Sequence, residues 1–542
     1  MGFRFKLVII IFCLIYVALL FNLFQIQVLR NKDFSAKAES QYFSSNYLKA
    51  DRGSIFFTDK FGNFIPAALN KDFPKIYAVP KEIEDSKEAA NFLAPILNLS
   101  ADDLEKKFSD KKNQYNLLEQ KSTEEIVKKV QSLKLKGIYI NPEPSRFYPL
   151  NSVASQLLGF VAEDSKDIVE SGRYGIEKFY NPILSGKSGI NENGKITPRE
   201  DGSDIKLTID PNIQNQAEEI LKGLIGEFSN KGGSVIVAEP KTGKILALAN
   251  YPNFDPNNYG EFNLGTFINP TVQAIYEPGS VFKVITMAAG LDAGKITPDT
   301  TFVDTGVLKV SGKKIQNWDH LAHGKITMTQ VIEKSVNTGA AFAESKIGRS
   351  LFTSYLNKFG FNEKTEIDLP GEISGNLRAL SPKASDINYA AASFGQGVAI
   401  TPIELISAIG AIANGGHLMR PYLNSTLTPK EIRTVISQKA AAQTTQMMIS
   451  ALEKADVGKI ASYQLAGKTG TAQVANPKGG GYLADIFNHT YVGFGPTSDP
   501  RFIILIKLNE TNVSLAGGTV VPAFRELAQF ILNYYNIPPD KI

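Results

Sequence analysis

An apolar segment close to the N-terminus limits what this chain can fold into. Residues Leu7 to Phe21 are uninterruptedly apolar, and the segment continues to Leu29 with three polar interruptions. A helix that rises about 1.5 Å per residue would cover roughly the 30 Å hydrocarbon core of a bilayer over this length. We therefore expect a transmembrane anchor at residues 7–29, preceded by a tail of residues 1–6.

Two other interpretations of this segment stay open. A cleaved signal peptide would need a short apolar region and then small residues at a cleavage site, whereas bulky residues follow Phe21. A buried helix of a soluble protein would also be apolar. The flanking charges do not set the orientation, because Arg30, Lys32 and Lys37 after the segment match Arg4 and Lys6 before it.

The composition excludes several classes of protein. A chain of 542 residues, with 43% hydrophobic and 21% charged residues, is folded and long enough for roughly two to four domains. Its net charge of +4, from 58 basic and 54 acidic residues, indicates no nucleic-acid partner. One cysteine excludes an intramolecular disulfide framework, and four histidines leave little for metal binding. We expect no metal and no cofactor, and catalysis by hydroxyls, lysines or carboxylates.

The pattern of residues changes near Asp201–Gly202. Residues 30–200 are mixed and rich in lysine, with capping residues at Ser100 and Ser122 that predict two helix starts. Residues 201–542 predict one α/β domain whose sheet is assembled from distant segments. The predicted strands of this domain are Ser234–Ala238, Ile245–Ala249, 464–474, 489–494 and 502–508, and its helical stretches are 282–293, 327–347, 402–414 and 522–534.

Three short motifs of serine and lysine chemistry each occur more than once. Ser-x-x-Lys begins at Ser109, Ser280 and Ser311; Ser-x-Asn begins at Ser44, Ser335 and Ser374; Lys-Thr-Gly begins at Lys241 and Lys468. Local context selects one copy of each.

Ser280 is selected because it follows the turn Glu277-Pro-Gly and begins an apolar helix. Backbone N–H groups and the helix dipole favour developing negative charge at such a position. The spacing places Lys283 on the same helical face. Ser109 lies in a charged surface stretch and Ser311 in a short turn, so neither is a candidate.

The other two motifs are selected in the same way. Ser335-Val-Asn337 separates two apolar helical runs, and we expect a buried polar hub there. Lys468-Thr-Gly-Thr471 lies on a predicted strand with glycines at 467 and 470, and glycine in a strand marks close approach of another backbone or a ligand. Lys241 lies in a hairpin turn instead.

These residue types fit acyl transfer through a serine ester. The Ser280 hydroxyl needs a base, and Lys283 can be that base only if its pKa falls from about 10.4 towards 7, through burial and the charge of Lys468. Ser335 can relay a proton to the leaving amine. Asn337 can hold Lys283 and bind a substrate amide.

Two further groups complete the predicted site. Lys468 with Thr469, Gly470 and Thr471 makes a wall suited to a substrate carboxylate. The backbone N–H groups of Ser280 and Thr471 are the predicted oxyanion hole.

With these motifs, the chain resembles a class B penicillin-binding protein along nearly its full length. The catalytic motifs above carry the resemblance, together with Ser393-Phe-Gly-Gln-Gly397. Upstream, Arg52-Gly-Ser-Ile55, Arg146-Phe-Tyr-Pro149 and Gly172-Arg-Tyr-Gly-Ile-Glu177 are similar to pedestal-domain motifs of the family. The stretch after Gly53 departs from the family pattern Asp-Arg-Asn-Gly. Asp59 lies farther from Gly53 than the aspartate of that pattern, and Lys60 and Phe61 replace its Arg and Asn.

The resemblance implies an anchored, multi-domain protein with a cytoplasmic N-terminus and an extracytoplasmic catalytic domain in the bacterial cell membrane. An elongated α+β pedestal at 30–200 would precede a transpeptidase domain at 201–542, with an antiparallel sheet flanked by helices and an all-helical subdomain. The implied activity is peptidoglycan D,D-transpeptidation of D-Ala-D-Ala stem peptides, inhibited by β-lactams. The implied partners are a membrane glycan polymerase and division-complex proteins, because the sequence resembles the division-specific branch.

Three other functions remain alternatives at this stage. A D,D-carboxypeptidase or β-lactamase would need fast attack by water, and no Glu-x-x-Leu-Asn segment supplies a deacylating base. A β-lactam sensor would need a cytoplasmic effector, whereas only about six residues precede the anchor. A scaffold without turnover would not need Ser280 or Lys283.

Overall fold

The computed structural model describes residues 47–163, 170–192, 195–228, 230–476, 478, 479 and 481–541, with four single positions between 16 and 25. Apart from those positions, the predicted anchor at 7–29 lies outside the described residues. Within the described ranges, no helix has the length and apolar character needed to cross a bilayer.

The helices and strands of the described residues are numbered separately along the chain. The helices are α1 Ser86–Leu97, α2 Ala101–Ser109, α3 Glu124–Ser132, α4 Ser155–Leu158, α5 Gly175–Phe179, α6 Asn181–Leu184, α7 Pro211–Phe228, α8 Pro270–Gln273, α9 Lys283–Asp292, α10 Met328–Lys334, α11 Asn337–Ile347, α12 Arg349–Lys358, α13 Asp386–Ala392, α14 Pro402–Ala413, α15 Gln438–Ala455 and α16 Val520–Tyr534. The strands are β1 Tyr47–Leu48, β2 Ile55–Thr58, β3 Phe64–Ala78, β4 Asn116–Glu119, β5 Ile138–Phe147, β6 Val161–Glu163, β7 Glu170–Gly172, β8 Gly189–Glu192, β9 Lys195–Thr197, β10 Ile205–Lys206, β11 Gly232–Ala238, β12 Ile245–Tyr251, β13 Thr301–Asp304, β14 Val307–Val310, β15 Lys313–Gln316, β16 Gly324–Thr327, β17 His417–Met419, β18 Glu431–Thr434, β19 Ala466–Ala475, β20 Tyr482–Gly495 and β21 Phe502–Thr511.

The chain forms two compact units, and each is made of separate segments. The first unit comprises Met1–Ser54, Ala68–Pro149 and Ile183–Asp204. In it, β3 pairs antiparallel with β5 from Leu69 to Ala78, and α1, α2 and α3 bury an apolar cluster together with this pair. The α+β content predicted for this region is confirmed.

One of the two predicted helix starts in this unit is confirmed, and the other is off by one residue. The Ser100 hydroxyl accepts from the Asp103 N–H at 3.4 Å and caps α2. The cap of α3 is Thr123, whose hydroxyl accepts from the Ile126 N–H at 3.3 Å. Ser122 is buried and donates its N–H to the Pro74 carbonyl, so it belongs to the preceding segment.

The second unit comprises Ile55–Ala67, Leu150–Pro182 and Ile205–Ile542 and is built on a five-stranded antiparallel sheet. The strand order is β12-β11-β21-β20-β19, so strands from both ends of the unit are neighbours. This confirms the prediction of a sheet assembled from distant segments. Each predicted strand overlaps one of these five, although β19 begins at Ala466 and not at 464, and the other four strands extend beyond the predicted limits.

Helices cover both faces of this sheet. Val235 and Ile504 belong to the apolar cluster that α7 and α16 bury on one face. Because side chains alternate along a strand, Ile236 and Leu505 point to the other face, where α14 contacts β11 and β21. Strands buried on both faces require apolar residues at every position, which explains the continuous apolar runs in β11 and β21.

The helical region between β12 and β19 differs from prediction in two ways. The predicted stretch 327–347 is divided into α10 and α11, because Ser335 has a φ of +56° and Val336 is extended. The region also contains the antiparallel pairs β13–β16 and β14–β15, so it is not all-helical. Ser311 and Gly312 both have positive φ, which suits the tight turn between β14 and β15.

The sheet core predicts a large loss of stability for Phe524→Ala. Phe524 is fully buried and its ring centroid lies 4.7 Å from that of Tyr491. We expect the free energy of unfolding to fall by about 3–5 kcal/mol, because a cavity remains. Urea unfolding followed by circular dichroism measures this. Phe61→Ala is the control, since Phe61 is 77% exposed; equal unfolding midpoints for the two variants would contradict the prediction.

Candidate active site

Ser280 lies in a single 3-10 turn, Gly279–Phe282, that leads directly into α9. Gly279 has a φ of +61°, and a Cβ atom there would lie 2.9 Å from the Thr471 carbonyl oxygen, so glycine is required at this position. Ser280 is half-buried, and its hydroxyl has no hydrogen-bond partner among the described residues. The turn therefore presents this hydroxyl beside β19 without binding it.

Lys283 is the first residue of α9 and is fully buried. Its Nζ donates to the Ser335 carbonyl oxygen at 2.5 Å and to Ser335 Oγ at 3.1 Å. Ser335 can offer both oxygens because its left-handed backbone breaks the chain between α10 and α11. The break that divides the predicted helix is thus the feature that holds the lysine amine.

Lys468 lies on β19 and is 4% exposed. Its Nζ donates to Ser335 Oγ at 3.1 Å and to the carbonyl and hydroxyl oxygens of Thr469 at 3.2 and 3.3 Å. One serine oxygen therefore accepts from two lysine amines. The three motif residues Lys283, Ser335 and Lys468 form one hydrogen-bonded cluster.

Burial changes the protonation of both amines. It is the main cause that lowers the pKa of Lys283 well below its usual value, and the Lys468 charge lowers this pKa further while Asp319 opposes the change. Burial also lowers the pKa of Lys468 to about 7. No carboxylate of the described residues is hydrogen-bonded to either amine. Burial without a carboxylate partner therefore favours the neutral form of the Lys283 amine.

Asn337 lies beside this cluster but makes a different contact from the predicted one. It is the first residue of α11, and its Nδ2 donates to the Gln316 carbonyl oxygen at 2.8 Å. The expectation that it holds Lys283 is therefore wrong for this structure, because the Ser335 oxygens make that contact. Asn337 instead joins the start of α11 to β15.

The Thr471 backbone faces the turn that carries Ser280. Since the Thr471 carbonyl lies next to Gly279, the N–H of Thr471 faces the same way, because both groups of a strand residue point to one side. In the sheet, β19 is an edge strand, so this side is open. A Cβ on Gly470 would lie 2.5 Å from the Pro278 carbonyl oxygen, which explains the glycine inside the strand.

Two sets of contacts support the site. The first set, around Thr471, could not be found from local sequence. The Thr471 hydroxyl accepts from the Ala516 N–H at 3.3 Å, and Thr519, at the end of the Ala516–Gly518 turn, contacts His489 Nδ1 through its hydroxyl at 2.8 Å. Burial lowers the pKa of His489 to about 4, so its ring is neutral at neutral pH. These contacts join residues tens of positions apart, and no short motif marks them.

The second set of contacts fixes the turn before Ser280. Gly279 donates its N–H to the Gly395 carbonyl oxygen at 3.2 Å. Glu277 accepts from the Gly397 N–H at 3.0 Å and from the Tyr482 hydroxyl at 3.0 Å. The stretch 393–397, which was singled out only by family resemblance, thus packs directly against the turn of Ser280.

Comparisons with known proteins agree with this geometry. Residues 47–206 match the penicillin-binding protein dimerisation domain, and residues 233–529 match the penicillin binding protein transpeptidase domain. Stage V sporulation protein D of Bacillus subtilis is 30% identical over 91% of this chain and 80% of its own length. Peptidoglycan D,D-transpeptidase FtsI of Escherichia coli is 27% identical over 91% of this chain and 85% of its own length.

A solved structure shows the same fold. Penicillin binding protein 3 from Mycobacterium tuberculosis, crystallised with aztreonam, has a TM-score of 0.71 at 24% identity, covering 91% of this chain and 98% of that one. The chain belongs to the penicillin-binding protein transpeptidase family, which confirms the family resemblance.

The paired amines predict how the pKa of Lys283 responds to Lys468→Ala. Removing the neighbouring charge should raise the pKa of Lys283, while burial should keep it below its ordinary value. The measurement is a pH titration of lysines labelled with 13C at Cε, followed by NMR. Lys314→Ala, which removes an exposed lysine, should leave the Lys283 signal unchanged. An unchanged or lowered pKa in Lys468→Ala would contradict the electrostatic coupling.

Proposed function

We propose that this chain is a serine-type peptidoglycan D,D-transpeptidase that cross-links stem peptides through an acyl-enzyme on Ser280. The observation that carries the proposal is the convergence of Lys283 and Lys468 on one Ser335 oxygen, with the free Ser280 hydroxyl one helical turn from Lys283. Membership of the transpeptidase family and the names of its relatives support it.

Acylation begins with the neutral Lys283 amine, which removes the proton of the Ser280 hydroxyl. The Ser280 oxygen forms a bond to the carbonyl carbon of the penultimate D-alanine. The bond from this carbon to the nitrogen of the terminal D-alanine then breaks. That leaving nitrogen receives its proton through Ser335, whose hydroxyl is hydrogen-bonded to Lys283. Terminal D-alanine departs as a neutral amine.

Deacylation reverses these roles with a different amine. The amino group of a neighbouring stem peptide attacks the Ser280 ester and loses a proton to the Lys283–Ser335 pair. Ser280 leaves with a proton, and a new amide bond joins the two stems. Water in place of the amine would give hydrolysis, so the ratio of cross-linked to hydrolysed product distinguishes a transpeptidase from a carboxypeptidase.

The remaining site residues bind and polarise the donor. The backbone N–H groups of Ser280 and Thr471 are the proposed oxyanion hole, where each donor is worth roughly 3–4 kcal/mol in the transition state. Thr469, Gly470 and Thr471, next to the Lys468 charge, receive the terminal carboxylate. Asn337 binds a substrate amide through its carbonyl oxygen, since its amino group is held by Gln316.

We further propose the domain organisation and location of the chain. Residues 1–6 are a cytoplasmic tail, 7–29 a single transmembrane anchor, 30–200 the pedestal and 201–542 the extracytoplasmic transpeptidase domain. The two domain matches and the apolar run from Leu7 support this division. A role in division or septal wall synthesis, beside a membrane glycan polymerase and other division proteins, is supported by the FtsI relatives.

Labelling with a fluorescent penicillin tests the nucleophile. Membranes that contain the wild-type chain should be labelled covalently, and Ser280→Ala should lose the label, because no hydroxyl remains to form the ester. Ser109→Ala is the matched control, since it changes the exposed serine of another Ser-x-x-Lys copy and should label fully. Equal labelling of Ser280→Ala and wild type would overturn the assignment of Ser280.

The two amines also predict a bell-shaped pH dependence of acylation. The rate should rise with pH as Lys283 loses its proton at its lowered pKa. It should fall above about 7 as Lys468 loses the charge that attracts the carboxylate. In Lys468→Arg the charge persists, so the falling limb should move to higher pH. The measurement is the acylation rate constant from about pH 5 to about 10.

A falling limb that stays in place in Lys468→Arg would exclude Lys468 as its origin. A rate that is constant with pH in the wild type would exclude both amines as the controlling groups.

A further inference from the structure

A cavity of about 700 Å³ lies in the second unit, and none of its lining residues belongs to the active site. It lies between the outer face of α12, the segment 380–389 and Arg433 on β18. Its volume is within the range typical of small-ligand sites. The opposite face of α12 buries Phe352 and Leu356, so the helix presents this polar face on a fixed base.

Three cations line the cavity, and two of them form ion pairs with carboxylates. Arg349 is paired with Asp386 and lies 5.3 Å from the centroid of the Tyr389 ring. Arg433 is paired with Glu363 at 2.6 Å.

The third cation, Lys358, has no such carboxylate partner among the described residues. Its Nζ lies 4.9 Å from the centroid of the Tyr355 ring. The charge of Lys358 helps to lower the pKa of Asp292. The Asp292 carboxylate, however, accepts its hydrogen bonds from the Tyr355 hydroxyl and the Ser437 N–H, both at 2.7 Å. The Lys358 amine therefore has no direct ion pair among the described residues and can donate to an external anion.

Beside this charge, α12 presents a row of polar groups. Ser350, Ser354 and Asn357 are spaced by four and three residues, so they share one helical face. All three are exposed, and in the described part of the chain their side chains have no hydrogen-bond partner. Thr353 differs, because its hydroxyl already donates to the Arg349 carbonyl oxygen at 3.0 Å.

The opposite wall is apolar and firmly held. Leu380 and Pro382 line it. The Tyr389 hydroxyl donates to the carbonyl oxygens of Leu380 and Ser381 at 2.9 and 3.1 Å, which fixes the backbone of this wall. One side of the cavity thus suits hydroxyl and amide groups, the other suits an apolar surface, and Lys358 has no direct ion pair among the described residues.

We propose that this cavity binds a peptidoglycan fragment, a sugar-linked peptide with a free carboxylate, outside the catalytic cleft. This inference rests on the proposed function, which brings the enzyme to such a polymer. The hydroxyl and amide row matches sugar and peptide groups, and Lys358 matches the carboxylate. A polyol-phosphate polymer shares the negative charge and hydroxyls, but it has no group for the wall of Leu380 and Pro382.

Binding of a soluble disaccharide-pentapeptide to the full-length, penicillin-acylated protein tests the proposal. Acylation blocks the catalytic cleft, so any remaining binding occurs elsewhere. Lys358→Glu should weaken the measured affinity by about tenfold or more, and Ser354→Ala by about threefold. Raising the salt concentration should weaken binding to the wild type. Lys439→Glu is the matched control, because it makes the same charge change at an exposed lysine outside the cavity, and its affinity should be unchanged.

Three outcomes would overturn the proposal. These are no binding to the acylated wild type, equal binding by Lys358→Glu and wild type, and tighter Lys358-dependent binding of a glycerol-phosphate oligomer than of the disaccharide-pentapeptide. Penicillin labelling of Lys358→Glu at the wild-type rate shows that the variant is folded. A protein that is labelled at Ser280 but fails to bind the fragment refutes this inference alone and leaves the proposed function intact.

Discussion

Two lysine amines buried around one serine oxygen are the constraint on which the site depends. Lys283 and Lys468 both donate to Ser335 Oγ, and an unbalanced pair of buried ammonium groups would be strongly unfavourable. The structure relieves this cost by lowering the pKa of both amines. A lowered pKa is also what a lysine needs to act as a base at neutral pH, so the electrostatic cost of the cluster and its proposed chemistry have one origin.

The backbone around the cluster is shaped by close approach. Gly279 and Gly470 lie where a side chain would collide with the Thr471 and Pro278 carbonyl oxygens, so the turn of Ser280 lies directly against the open edge of β19. Ser335 adopts a left-handed conformation that interrupts the helices and presents two oxygens to Lys283. Rigid elements therefore position every group of the cluster, which is the condition for electrostatic stabilisation of a transition state.

The chemistry of the site is separated from the charged surface of its domain. At the cavity beside α12, both guanidinium groups form ion pairs with carboxylates, and only Lys358 does not. In the active site, neither lysine amine has a carboxylate partner among the described residues. Lys358 is exposed to water, whereas Lys283 is fully buried. Burial lowers the pKa of Lys283 well below its usual value, which is the property that the proposed base requires.

Much of the fold and the site was predictable from sequence. Apolar periodicity located the strands of the central sheet. The residues around Ser280 and Lys468 selected motif copies that the structure brings together, because glycine and proline restrict the backbone locally. Local patterns predicted the ends of helices less exactly. Ser122 was the predicted cap of α3, but Ser122 is buried and the neighbouring Thr123 caps the helix.

Tertiary structure alone decided which groups touch. Three hydrogen bonds of the site join segments far apart in the chain. They connect Lys283 with Ser335, Asn337 with Gln316, and Thr471 with Ala516. Residue types and spacing determined the chemistry that this chain can carry out. The partner of each polar group was set by the packing of the sheet and helices, because a hydrogen bond depends on distance and angle in space and not on position in sequence.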